Sequence, residues 1–151
     1  MVFHNERELK NYILSCSDFA IKAAQEKVMM IINHFLTEFY REFTPEVYDR
    51  TEQLLRSLTK SNIKSTGNGW VAEVYFDLSA LDYSINRVNS SQTYWSEEEV
   101  LENAMVGKYP HGGYTKATGN TQIWTESMKV LTKERIEILK KSLIEAGIPV
   151  K

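Results

Sequence analysis

An α+β fold is the class the sequence predicts, and three observations predict it. Residues 18–43 carry apolar side chains at helical steps, residues 70–78 alternate at the period of a strand, and residues 125–146 return to helical spacing. The expected architecture is a long N-terminal helix and a C-terminal helix packed on a small antiparallel β-sheet, as one domain spanning residues 1–151. No repeat, linker or low-complexity segment divides the chain. At 151 residues, with 42% hydrophobic and 25% charged side chains, it is long enough to bury a core without metal or disulfide staples.

The first elements are helical. Asn5 followed by Glu8, and Ser15 followed by Asp18, each carry a capping signature. The second pair leaves open whether residues 6–14 form a separate helix, because Leu9, Ile13, Cys16 and Ala20 keep the helical register across the possible break. Ala20, Ala24, Val28, Ile31, Phe35 and Phe39 then recur at steps of three and four, flanked by Ala23, Ile32, Leu36, Tyr40 and Phe43. The stripe widens over residues 35–43, which need cover from a sheet face or another subunit. Pro45 suits a first helical position and Thr44 its cap, so a second helix is expected from Pro45 through Leu58. It would turn Val47, Leu54, Leu55 and Leu58 inward, and would set Glu46 with Arg50 and Glu52 with Arg56 as i,i+4 pairs.

Period two follows, weakly over residues 59–65 and clearly through Trp70, Ala72, Val74, Phe76 and Leu78. Thr66-Gly67-Asn68-Gly69 lies between, and Asn-Gly tolerates the positive φ of a tight hairpin turn. The first strand is polar and reads as an edge, either open to a neighbour or guarded by Lys60 and Lys64. Leu81, Tyr83 and Ile85 alternate as a third strand, and residues 86–92 read as an exposed loop. Ser96 and Glu99 form a capping box for a short helix with Val100, Leu101, Ala104 and Met105 inward and Gly107 at its end. Residues 108–121 form a long glycine-rich loop. The last helix runs from about Thr125 to Ala146, carries Met128, Leu131, Ile136, Ile138, Leu139, Leu143 and Ile144, and stops at Gly147 and Pro149.

Several function classes lose their footing on these residues. A formal charge of −2 and a pI near 6.0, with basic and acidic residues interleaved, provide no general attraction for nucleic acid. The N-terminus is too charged for a signal sequence, no apolar run reaches membrane-spanning length, and the single Cys16 suits a reducing cytosol. His4, His34 and His111 lack metal-ligand spacing, and one cysteine cannot complete a zinc set. His111-Gly112-Gly113 has an oxyanion-loop flavour, yet no Gly-x-Ser-x-Gly elbow exists to use it. Gly67-Asn68-Gly69 lacks the Gly-Lys-Ser/Thr of a phosphate loop. Glu97, Glu98 and Glu99 suit the first turn of a helix, where carboxylates favour the macrodipole. Trp70 belongs to a strand, and Trp95 and Trp124 sit at helix entrances as packing staples. No catalytic residue, metal or cofactor is expected, and the chain reads as a non-enzyme.

The order of a long helix, the Tyr48-Asp49-Arg50-Thr51 junction leading to Leu54 and Leu58, a glycine-turned hairpin, a helix ending in Gly107, a His111-Gly112 loop and a C-terminal helix resembles the tail-component family of long-tailed bacteriophages. Members are small neck proteins placed where tail meets head. The resemblance implies a tail-completion protein of the virion that joins the tail tube to the head-side connector. It would act in a ring of its own copies, without turnover, cofactor, specific nucleic acid or membrane, after assembly in the host cytoplasm. Tyr48, Arg50, Thr51, Leu54, Leu58, Gly107, His111 and Gly112 would be its structural motif residues. Lys60, Lys64, Asn86, Tyr94, Trp95, Tyr109, His111 and Tyr114 are the candidate interface, with residues 84–96 and 108–121 ordering on docking. The competing expectation is a small cytosolic binding module that uses the apolar stripe at residues 35–43, with Phe39 at its centre.

Overall fold

The structure is a computed structural model that describes residues 2–41, 52–66, 69–81, 96–105 and 122–150. Helix α1 (Glu6–Arg41) is one unbroken helix of 36 residues, which resolves the possible break near Ser15. At its start the Asn5 Oδ1 accepts the Glu8 N–H at 2.9 Å, and the Glu8 carboxylate accepts from the Asn5 amide at 3.0 Å and the His4 N–H at 2.9 Å. Ser15 does not cap. Its hydroxyl donates back to the Tyr12 carbonyl at 2.8 Å, as a hydroxyl inside a helix does, so the backbone runs through.

Helix α2 (Gln53–Ser57) is far shorter than the helix expected from Pro45 to Leu58. Glu52 stands before it at φ 56°, and a right-handed helix cannot pass through a left-handed residue. Residues 42–51, which include Pro45, Tyr48, Arg50 and Thr51, lie outside the described residues.

The hairpin forms in two pieces. Strands β1 (Leu58–Lys60) and β4 (Val74–Phe76) pair antiparallel, Leu58 opposite Phe76 and Lys60 opposite Val74; β2 (Lys64–Ser65) and β3 (Trp70–Val71) pair antiparallel, Lys64 opposite Val71. Residues 61–63 stand against residues 72–73, so one extra residue on the first strand shifts the register by one, the signature of a bulge. The Thr66 N–H donates to the Gly69 carbonyl at 2.9 Å across the turn. The expected alternation holds in the returning strand: Trp70, Ala72, Val74 and Phe76 are half-buried, while Val71, Glu73 and Tyr75 are exposed. Leu78 leaves the strand for a 3-10 turn (Leu78–Ala80), because Asp77 accepts from the Ser79 N–H at 3.0 Å and bends the chain. Leu81 is buried behind that turn and is not in a strand; Tyr83 and Ile85 lie outside the described residues.

Helix α3 (Glu97–Met105) opens with the expected box, the Ser96 N–H donating to Glu99 at 2.8 Å and the Glu99 N–H to the Ser96 hydroxyl at 3.2 Å. Helix α4 (Ile123–Glu145) starts two residues before the expected Thr125 and closes in a Schellman arrangement. The Ile148 N–H reaches the Leu143 carbonyl at 2.8 Å and the Gly147 N–H the Ile144 carbonyl at 2.9 Å, with Gly147 at φ 91°.

The core gathers Ile32, Leu36 and Phe39 of α1, Leu54 of α2, Leu58 of β1, Leu81 and Ile123 of α4, with Phe35, Tyr40, Val74, Phe76, Leu101 and Met105 at its margin. The wide end of the α1 stripe is thus covered from within the chain: Leu36 is fully buried and Phe39 nearly so. Helices α1 and α4 run antiparallel, since Ile123 joins the far end of α1 in the core while the Tyr12 hydroxyl donates to the Gly147 carbonyl at 3.1 Å. Small side chains, Cys16 and Ala20 on α1 with Ser127 and Ser142 on α4, are buried along this pair. Tyr12 also stacks obliquely on Phe3, and its hydrogen bond with the Cys16 thiol, aided by burial, holds the phenol above its ordinary pKa of 10.0.

Candidate interface on the β-hairpin

Of the residues expected at an interface, Lys60 and Lys64 fall among the described residues, and both lie on the hairpin. Asn86, Tyr94, Trp95, Tyr109, His111 and Tyr114 lie outside them, as do the motif residues Gly107 and Gly112. Leu54 and Leu58 are placed by the fold in the core, where they serve as packing.

Gln25 positions the hairpin. It sits on the same side of α1 as Ile32, Leu36 and Phe39, and its buried amide Nε2 donates to the Ser61 carbonyl at 3.0 Å and the Glu73 carbonyl at 2.8 Å. The two acceptors belong to opposite strands at the bulge, where the ladder between them is interrupted. The Ser61 N–H also reaches the Glu73 carbonyl at 2.9 Å, and the Ser61 hydroxyl accepts the Glu73 N–H at 2.9 Å. One helix side chain therefore satisfies the backbone where the register shifts. Sequence reading missed this role; the available signal was a glutamine recurring in register with apolar residues, at Gln25, Met29, Ile32, Leu36 and Phe39.

The Lys60 ammonium is drawn to the Glu26 carboxylate on α1, an exposed ion pair that contributes little stability but sets the direction of the side chain. Lys64 lines a shallow concavity of about 540 Å³ with Ser61, Glu73, Val74 and Tyr75; Val71 and Tyr75 are exposed on the same hairpin.

The hydrogen-bond parity of the β1–β4 ladder follows from its ends. The Asp77 N–H donates to the Ser57 carbonyl at 2.8 Å and the Ser61 N–H to the Glu73 carbonyl. Pairs 57/77, 59/75 and 61/73 are thereby the bonded ones, and the backbone groups of Leu58, Lys60, Val74 and Phe76 point away from the partner strand. These outward groups meet no partner among the described residues.

Elsewhere, Trp124 is 52% exposed on the first turn of α4 rather than packed as a staple, because its neighbour Ile123 takes the inward position. Met128, Ile136, Leu139 and Ile144 are exposed further along α4, and Phe19 and Met30 on α1. Among the described residues no three His, Cys, Asp or Glu side chains cluster to hold a metal ion, and no helix is long and apolar enough to cross a membrane.

The fold is α+β, with a long N-terminal helix, a C-terminal helix and a small antiparallel sheet. The YomN family model matches residues 5–146, and the chain belongs to the YomN family, a phage-derived family of the SPbeta prophage type. Phage origin agrees with the sequence expectation; the family matched is YomN, and the tail-component family is not the one found. No curated protein and no solved structure matches the chain.

Proposed function

We propose that this protein is a structural component of the phage particle, placed at the neck or tail end, where copies of it assemble as a ring between the tail tube and the head-side connector. It acts by binding, without turnover or cofactor, and reaches the virion from the host cytoplasm during assembly. The observation that carries the reading is membership of a phage-derived family over residues 5–146. Support also comes from the order of elements resembling tail-component proteins. The wide stripe on α1, the surface for a cytosolic binding module, is occupied by the chain's own core.

Quantitative mass spectrometry of purified particles tests the proposal. A low, fixed copy number per virion is the expected result. Absence from particles made while the gene is expressed rejects it.

A further inference from the structure

The two halves of the hairpin are one residue out of step. The β1–β4 ladder ends with Ser61 bonded to Glu73, whereas the β2–β3 ladder sets Lys64 opposite Val71 and Ser65 opposite Trp70. Continued without the extra residue, the β1–β4 register would set Asn62 opposite Ala72, Ile63 opposite Val71 and Lys64 opposite Trp70. The connection permits either arrangement. The bonded residues Thr66 and Gly69 enclose two residues, and the alternative would pair Ser65 with Gly69 around three. Both are common hairpin lengths, and Gly67-Asn68-Gly69 supplies residues that tolerate positive φ.

The hydrogen bonds at the bulge also have a second choice. In a regular ladder the Glu73 N–H would meet the Ser61 carbonyl. It meets the Ser61 hydroxyl instead, and the Ser61 carbonyl is taken by the Gln25 amide, which bonds the Glu73 carbonyl as well. The half-buried Ile63 favours the bulged register, but the first strand is otherwise polar at Ser61, Asn62, Lys64 and Ser65, and a polar strand specifies its register weakly. Gln25 is therefore the group that decides between the two.

We propose that the outer part of the hairpin is a register switch latched by Gln25: when the amide lets go, the first strand slides one residue along the returning strand into the regular ladder. A slide of one residue turns Ile63, Lys64 and Ser65 to the opposite face. Lys64 then leaves the outward side, where it now stands opposite the exposed Val71, and Ile63 takes its place. The outward face that carries Val71, Glu73 and Tyr75 thereby exchanges a cation for an apolar side chain.

Nuclear magnetic resonance on the full chain reads the register directly, because Hα atoms approach closely across the non-bonded pairs of an antiparallel ladder. With Thr66 and Gly69 bonded, the close pair at the tip is Ser65 with Trp70. After the slide it is Lys64 with Trp70. The wild type is expected to show the Ser65–Trp70 contact. Gln25→Leu keeps the bulk but removes the latch, and a second set of hairpin resonances with the Lys64–Trp70 contact is expected, while the α1 and α4 resonances establish that the fold is kept. A folded Gln25→Leu with the Ser65–Trp70 contact alone overturns the proposal. So does a folded variant with neither contact, which would mean that the tip frays instead of sliding. Should Gln25→Leu fail to fold, Gln25→Asn, whose amide stops one methylene short of the two carbonyls, takes its place with the same outcomes.

Discussion

The two ends of the α1–α4 pair carry similar sequence periodicity and end in different structures. At the end where α1 finishes, Ile32, Leu36 and Phe39 meet Leu54, Leu58, Leu81 and Ile123, and the apolar side chains disappear from solvent. At the end where α1 begins, Leu9, Ile13 and Leu14 remain substantially exposed, and the buried side chains along the helix pair are small, Cys16, Ala20 and Ser142, with the Tyr12 hydroxyl donating to the Gly147 carbonyl. The difference is the second layer. The sheet and α2 reach only the first of these ends, so the same helical stripe becomes core there and a half-covered flank at the other.

That contrast predicts unequal costs. Leu36→Ala removes a fully buried side chain at the layered end and should destabilise the protein by about 2–5 kcal/mol, read from urea unfolding. Leu9→Ala, at the open end, should cost far less, and equal losses would erase the distinction. Gly147→Ala attacks the polar clasp. It places a side chain at φ 91° and a Cβ 2.8 Å from the Tyr12 hydroxyl oxygen. A loss of about 1–3 kcal/mol is expected from the strained backbone. Gln25→Leu keeps the bulk but leaves the Ser61 carbonyl without its donor. A loss of about 1–2 kcal/mol is expected, with faster amide exchange at the bulge, and an unchanged hairpin would show that the ladder holds its own register.

A smaller effect has the opposite sign. The Ser127 hydroxyl is fully buried and has no hydrogen-bond partner among the described residues, so Ser127→Ala should raise stability by about 1 kcal/mol and increase the melting temperature. The least effect concerns pH. The Tyr12 phenol is raised above 10.0 in the folded chain, so folding favours its neutral form. Its contribution is complete below pH 10.0 and is lost as pH climbs through the higher folded value. Tyr12→Phe should flatten that alkaline loss in a thermal-melt series.

Much of the local structure was legible in the residues. Asn5 with Glu8 and Ser96 with Glu99 make the caps their spacing announced, Gly147 ends α4 with the positive φ that glycine allows, and the alternation from Trp70 to Phe76 gave the buried face of the returning strand. Each depends on neighbours within a few residues. Ser15 and Glu52 show where that legibility stops. A serine followed three residues later by an acid reads as a cap unless the helix arrives from upstream, and the left-handed turn at Glu52 has no marker in its side chain. Of the candidate interface, sequence placed Lys60 and Lys64 on the hairpin, where the structure has them, but did not mark Gln25, the residue that mounts the hairpin on α1.

The sequence by itself determined the long first helix, the short helix after Ser96, the last helix and the returning strand, how three of their ends close, and which faces are apolar, because backbone hydrogen bonding and side-chain periodicity act over one or two turns. Tertiary structure alone decided which apolar faces found cover, that Gln25 bridges the bulge, and that Lys60 turns to Glu26. Those outcomes join residues 34 to 48 positions apart, as in Glu26 with Lys60 and Gln25 with Glu73. Pairings at that separation are set by how the layers pack and not by any local preference of the chain.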